Sequence, residues 1–370
     1  MSDPTSPSTT SIEPLERGQT PAPVPSLTRE SPKRRRQLPL YFWAAVALAL
    51  LLLYNLIFSP SFFIVGKADG HLVGNSINVL HYGSKVMLIS LGMTLVIALG
   101  GIDLSVGAIM AMAGGVAALL ICKTNVATGA AQVPAPVWVA ILAGLGVGLA
   151  AGLWNGALVG YLNIQPIVVT LILMISGRGL AIYLTNGQAP TIADDSPFLW
   201  INRGSLFAVP LPIIITVGAA LLTMALVRWT ALGMFIESIG NNSATCEVAG
   251  LNTRLVKVMA YGFLGFCCAA AGLVDAAMNK IGDTNQSGLD IELDAIVAVA
   301  IGGTSLVGGR FCLIGSLLGA IAMQTLSVTI TRSGIKPEFN YVVKAFVVIV
   351  ICLLQSPKVR GALTKFRKAA

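Results

Sequence analysis

Long apolar runs alternate along the chain with short polar breaks rich in glycine. Runs of about 20 apolar residues match the length that crosses a hydrocarbon core. They predict spans near residues 40–58, 82–100, 104–122, 136–159, 166–184, 209–228, 256–278, 292–306, 311–330 and 339–355. None of them alternates polar with apolar positions as the strands of a membrane barrel do. Helices, which satisfy their own backbone hydrogen bonds in lipid, are therefore predicted throughout. Residues 61–81 are too polar to span and are expected at the outer surface. One long polar segment, Thr230–Lys257, interrupts the pattern between two spans. In it Asn242 or Ser243 can cap a helix N-terminus, and Gly250 suits the left-handed position just past a helix end. The reading is a two-turn helix over Ala244–Ala249, lying beside the bilayer and shaped to dock on a soluble partner.

Composition makes the membrane assignment firm. Of 370 residues, 55% are hydrophobic and 11% charged, and the mean hydropathy is +0.81. A soluble domain carries about 25% charged residues, so this chain cannot surround itself with a polar surface. The fold class predicted is an all-α polytopic membrane protein of about ten transmembrane helices, with lipid against its apolar faces. Residues 1–38 differ: eight of the 18 prolines fall in residues 1–39, among Ser and Thr, which reads as a disordered tail. That tail ends in Lys33-Arg34-Arg35-Arg36 directly before the first span, where the positive-inside rule explains the charge better than nucleic-acid binding does. With the N-terminus inside, 15 Lys and Arg residues fall on the cytoplasmic side and seven outside. Both termini and Thr230–Lys257 are thereby placed in the cytoplasm. Three zones follow: a tail over 1–38, a transmembrane domain over 39–357, and a basic cytoplasmic tail over 358–370.

Chemistry-bearing residues are few. Six scattered cysteines and two histidines, His71 and His81, form no metal-ligand spacing, so no metal is expected. Gly144, Gly148, Gly152, Gly156 and Gly160 recur every fourth residue and predict a groove for close helix packing, with a substrate channel as the alternative. Asn155 lies in the same span and needs a polar partner. The segment Gly100–Gly107 resembles Ile301–Arg310, each with a glycine pair, a hydroxyl residue and a further glycine. The likeness fits either an internal repeat marking a transport site or two tight turns. Asp103 or Ser105 could cap the helix that follows. Arg178 is a charge inside an apolar run and hence a functional candidate, unless it snorkels or pairs structurally with Asp103 or Asp275. Lys344 is ambiguous in the same way, while Asp275 and Asp294 are expected near the outer surface. With Thr304, the residues Asp103, Ser105, Asn155 and Arg178 are the candidates for lining a path. No GxxxxGK[ST] loop is present and no catalytic constellation stands out. The chain is not expected to be an enzyme, and energy for active transport must come from a partner or an ion gradient.

Four segments carry a resemblance: GMTLVIALGGIDLSVGAIMAMAG (Gly92–Gly114), GLWNGALVGYLNIQPIVVTLILMISGRGLA (Gly152–Ala181), TALGMFIESIGNNSATCEVAGLNT (Thr230–Thr253) and ELDAIVAVAIGGTSLVGGR (Glu292–Arg310). Together they resemble the permease subunits of bacterial ABC importers for monosaccharides, of the ribose, arabinose and xylose type, over about residues 40–357. Phe235-Ile236-Glu237, Asn163-Ile164-Gln165-Pro166 and Gly309-Arg310-Phe311 look most like the galactofuranose type. The resemblance implies a multi-pass protein of the bacterial inner membrane that forms the path for a monosaccharide. It implies four kinds of neighbour: a periplasmic sugar-binding protein, a cytoplasmic ATPase that holds ATP and magnesium, a second and different permease subunit, and lipid. No cofactor is implied for this chain. The family's coupling segment corresponds to Phe235–Leu251, which puts Phe235, Glu237, Gly240, Asn241, Ala244, Glu247 and Gly250 at the ATPase contact. The competing class is an ion-coupled secondary transporter or facilitator using Asp103 and Arg178.

Overall fold

The computed structural model describes residues 39–68, 71–124, 126, 129–334, 339, 342–346 and 349. The terminal tails 1–38 and 358–370 lie outside the described residues, as does most of the span expected at 339–355. Helices dominate: α1 Phe42–Phe58, α2 Asn75–Ala98, α3 Val106–Ile121, α4 Val137–Gly160, α5 Pro166–Leu184, α6 Trp200–Arg203, α7 Leu211–Trp229, α8 Leu232–Asn241, α9 Ser243–Val248, α10 Thr253–Asn279, α11 Ile291–Ile301 and α12 Leu313–Arg332. Two small antiparallel hairpins pair β1 (Gly66–Ala68) with β2 (His71–Val73) and β3 (Ser205–Leu206) with β4 (Val209–Pro210).

Among the described residues six helices, α2, α4, α5, α7, α10 and α12, are long and apolar enough to cross a membrane. They divide into inner and outer members. In α2 and α10, 78% and 72% of the apolar window is buried, against 22% in α4, 22% in α5 and 17% in α7. The outer helices turn apolar side chains such as Trp138, Ile172, Tyr183 and Leu221 outward, as lipid-facing helices do.

The expected span at 292–306 is corrected. The helix there, α11, has 11 residues, about 16 Å of rise and roughly half a hydrocarbon core. The chain leaves helical geometry at Gly302-Gly303 and continues as turns to Phe311. Gly303, Gly308 and Gly309 have φ of +88°, +101° and +87°, which only glycine adopts freely. Thr304 Oγ1 accepts from Cys312 N at 3.2 Å, and Ser305 N donates to Arg310 O at 3.0 Å, so this non-helical stretch is paired within protein. The segment 61–81, expected at the outer surface, supplies a 3₁₀ turn, the first hairpin and the first two turns of α2.

The inner packing rests on glycine. A Cβ on Gly144 would lie 2.8 Å from Leu273 Cδ2, on Gly152 3.0 Å from Gly265 Cα, on Gly156 2.7 Å from Val258 Cα, and on Gly160 2.9 Å from Arg254 O. Gly148 likewise meets Ala269 and Gly265 O. Gly148, Gly152, Gly156 and Gly160 therefore press against the backbone of α10, while Gly144 meets the Leu273 side chain of α10 and Ala113 O of α3. Lipid tails are as apolar as leucine, so helices in a bilayer gain little by hiding apolar surface, and van der Waals fit dominates. Hydrogen bonds between spans add to it: Asn55 Nδ2 donates to Thr329 Oγ1 at 2.7 Å, and Thr94 Oγ1 to Ser316 Oγ at 2.8 Å.

Connections sort to two ends of the bundle. At one end Thr191 bridges Ile281, Gly282 N donates to Pro190 O at 2.9 Å, and Leu72 N donates to Ala208 O at 3.0 Å. At the other end the C-terminus of α2 meets α8 and the 302–310 turns. Gly309 N donates to Ala98 O at 2.8 Å, and a Cβ on Gly240 would stand 2.5 Å from Gly309 N. The two similar glycine segments meet here as well, since a Cβ on Gly308 would lie 3.1 Å from Gly100 N.

Substitution separates seam glycines from incidental ones. Gly152→Leu is expected to destabilise by about 3 kcal/mol through forced separation of α4 and α10. Gly146→Ala, whose added methyl meets nothing within 4 Å, should be neutral. Thermal unfolding of the two variants in detergent distinguishes them; equal melting temperatures would remove the seam's importance.

Candidate functional site

Three features carry potential chemistry: a docking hairpin at one end, a buried polar knot nearby, and a cavity toward the other end. The hairpin is α8 followed by α9. Helix α9 spans Ser243–Val248, one position earlier than expected, and of the two cap candidates Asn242 performs the role, its Oδ1 accepting from Thr245 N at 3.0 Å. At the other end Gly250 has φ of +84°, and Leu251 N returns to Cys246 O at 3.0 Å. Sequence reasoning missed α8. Its Gly233, Ile236 and Ile239 recur every third residue and are buried, while Met234, Glu237 and Asn241 face out.

The candidate docking residues fall into two groups. Glu237, Ala244 and Gly250 are exposed, beside Met234 at 64% and Val248 at 92% exposure. Asn241 and Glu247 are also exposed but make internal hydrogen bonds that brace the hairpin, while Phe235 and Gly240 face inward. Phe235 packs on the core, Gly240 touches Ala98 and Gly309, and Asn241 packs on Gly309 while its Nδ2 donates to Glu237 O at 2.8 Å. Glu247 Oε1 accepts from Thr253 Oγ1 at 2.6 Å, tying α9 to the start of α10.

The five path candidates do not form one group. Asp103, Ser105 and Asn155 are fully buried together. Asp103 Oδ1 accepts from Ser105 N at 2.7 Å and Ser105 Oγ at 2.6 Å, and Asn155 Nδ2 donates to Ser105 Oγ at 2.9 Å. Neither Asp103 nor Ser105 caps α3 through its side chain. Tyr261, unflagged by sequence, lies alongside: its hydroxyl abuts Gly101 and has no hydrogen-bond partner among the described residues. A smaller cavity of about 250 Å³ adjoins, lined by Gly100, Gly101, Gln165, Lys257 and Tyr261. Arg178 lies apart from this knot. Its guanidinium donates to the carbonyls of Thr284, Asn285 and Ser287 at 3.0–3.2 Å, not to Asp103 or Asp275. Thr304 serves the 304–312 turn, as described above.

A larger cavity lies toward the opposite end and has a volume of about 670 Å³, within the roughly 300–1,000 Å³ typical of ligand sites. None of the five path candidates lines it. Its walls include Tyr82, Lys85, Asp275, Asn279, Asp283, Gln286, Ser287, Asp294 and Gln324, from α2, α10, α11, α12 and the 280–290 connection. Asp275 is 5% exposed, so it is buried in the wall and not solvated. It accepts from Lys85 Nζ at 2.7 Å, Asn279 Nδ2 at 3.1 Å and Ser287 Oγ at 2.6 Å. Asp294 pairs with Lys344 at 2.8 Å, which settles the ambiguity of Lys344. No local signal could have found this site, because Lys85 and Asp275 are 190 positions apart.

Beyond the cavity, exposed ion pairs fasten the connections: Asp194 to Arg203 and Lys280, each at 2.7 Å, and Asp195 to Lys123 at 2.6 Å. Hydrogen bonds from Lys280 and Arg203 hold the Asp194 carboxyl below its ordinary value, and Lys123 does the same for Asp195. A depressed folded-state value means these ties persist at neutral pH and weaken only on acidification through the lowered carboxylate range.

A family model described as branched-chain amino acid transport system / permease component matches residues 75–352. The chain belongs to this family of multi-pass membrane permeases. It is 46% identical to the galactofuranose transporter permease protein YtfT of Escherichia coli strain K12, over 91% of this chain and 95% of that one. It is 39% identical to the fructose import permease protein FruF of Bifidobacterium longum, over 86% and 88% of the two chains. It is 31% identical to the ribose import permease protein RbsC of Escherichia coli strain K12, over 85% and 92%. No solved structure matches it.

The Lys85–Asp275 pair yields a direct test. Lys85→Met strands a buried carboxylate and is expected to cost about 3 kcal/mol. Adding Asp275→Asn should recover part of that loss. Unfolding of the single and double variants in detergent measures it, and a double variant no more stable than the single would show the charges to be independent.

Proposed function

We propose that the chain is the membrane-spanning subunit of an ATP-driven importer that carries a monosaccharide, of galactofuranose type, across the bacterial inner membrane. The observation that carries this reading is the pairing of a polar cavity near one end of the bundle with an outward-facing, partly apolar helix hairpin at the other. A cavity alone would fit a facilitator. Exposed Met234 and Val248 in an aqueous connection call for a protein partner, and the 46% identity to a galactofuranose permease supplies the substrate class.

In this reading the ends have different tasks. The end bearing α8 and α9 is cytoplasmic and receives an ATPase, which holds ATP and magnesium; this chain holds neither. Exposed Met234, Glu237, Ala244 and Val248 make the contact. Phe235, Gly240 and Glu247 transmit it by anchoring the hairpin to the core. The opposite end faces the periplasm, where connections 185–208 and 279–291 receive a loaded sugar-binding protein. A second, different permease subunit packs alongside and completes the path. Both chain termini lie on the ATPase side.

The experiment is sugar uptake by proteoliposomes containing this chain, its companion permease and the ATPase, with loaded binding protein outside. Uptake should require ATP and binding protein together. Uptake driven by an ion gradient in the absence of ATP would overturn the reading. Val248→Asp is expected to lower ATPase co-purification about tenfold or more, as loss of an interface anchor does, without affecting membrane insertion. Unchanged association would remove α9 from the contact.

A further inference from the structure

Among the described residues lining the large cavity, polar groups divide into those already committed and those left free. Asp275 accepts from Lys85, Asn279 and Ser287. Asp283 Oδ1 accepts from the backbone N–H groups of Asn285 and Gln286, at 2.9 and 3.0 Å. These contacts fix the wall. The side chain of Gln324 makes no hydrogen bond among the described residues.

Gln324 differs from its helix neighbours in a telling way. The Ser and Thr hydroxyls of α12 return to a carbonyl four residues back, at 3.2 Å for Ser316, 2.7 Å for Thr325, 3.1 Å for Ser327, 2.7 Å for Thr329 and 3.0 Å for Thr331. Their donor protons are spent within the helix. Gln324 stands midway along the same helix, and its stem packs against Gly83 of α2, where a Cβ would come within 3.1 Å of Gln324 Cγ. Glycine at 83 thus gives the stem its seat, and the carboxamide borders the cavity. An amide at this depth requires a polar partner, and the cavity is where that partner can come from.

Charge narrows the ligand. Three carboxylates line the cavity, Asp275, Asp283 and Asp294, and two are offset by Lys85 and Lys344. Asp283 shares the Arg178 charge with Glu292 and Asp290, so the local balance stays acidic and unfavourable to a sugar phosphate or other anion. A free amide, which both donates and accepts, suits the hydroxyl of a neutral polyol. We propose that the cavity is a recognition station for a neutral monosaccharide in transit, read by the Gln324 carboxamide from the membrane side and by Gln286 from the outer connection. The proposal rests on the importer reading and assigns the permease its own selectivity, in addition to that of a binding protein.

The test uses the complete importer in proteoliposomes, with two monosaccharides delivered by the same binding protein. Gln324→Leu removes the reading group without breaking any internal bond. It is expected to change the ratio of uptake of the two sugars by about fivefold, the size of one hydrogen bond, while ATP hydrolysis stimulated by loaded binding protein stays at the wild-type level. Gln286→Ala, on an exposed turn outside the spans, should shift the same ratio and guards against misfolding of the first variant. Ratios within about twofold of wild type in both variants overturn the proposal. So does a parallel loss of uptake of both sugars together with stimulated hydrolysis, which would mark a general conformational role. Wild-type uptake that is independent of ATP would instead refute the importer reading itself.

Discussion

The contact between α4 and α10 is the constraint on which the rest depends. Both helices contribute glycine to it, Gly148 and Gly152 on one side and Gly262 and Gly265 on the other. Without an aqueous phase to drive association, two helices hold together in lipid by how closely their backbones approach. The close approach fixes α10 as a central post around which α2 and α3 also pack. Everything of chemical interest is then positioned by the two ends of that post. Thr253, Lys257 and Tyr261 stand near the α8–α9 hairpin and the polar knot, and Asp275 and Asn279 form part of the large cavity. A methyl group at Gly152 would alter the geometry of both sites at once.

Legibility in the sequence followed the range over which each feature is encoded. Spans show because twenty apolar residues in a row are a local property. The helix after Asn242 shows because a cap and a left-handed glycine lie within nine positions. Helix α8 escapes a reading by hydropathy, which averages its apolar and polar residues to neither class, although their three-residue spacing is a local helix signal. The segment 292–306 misleads for the opposite reason: it is apolar throughout, yet Gly302 and Gly303 end the helix after eleven residues. Hydropathy measures composition, and the backbone is decided by those glycines.

The site residues divide along the same line. Asp103, Ser105 and Asn155 were visible as polar residues in apolar surroundings, and they do converge. What composition could not say is that they bond to one another, leaving Asn155 Oδ1 without a partner among the described residues. Arg178 was visible too, but its partners are carbonyls of a connection more than a hundred positions away. The cavity draws one to three residues from each of five helices, none unusual in its own neighbourhood. Gln324 becomes informative only once its neighbours on α12 are seen to be internally bonded.

The meeting of Gly240, Ala98 and Gly309 has a mechanical consequence. At that point three backbones touch with no side chain between them, and side chains are the compressible part of a protein interior. A displacement of α8 therefore reaches the end of α2 undamped. From Ala98 the same unbroken helix runs back about 20 Å to Lys85, in the cavity wall. The hairpin and the cavity are joined by one rigid strut, and motion at either end is geometrically available to the other without any chain of rearranging contacts.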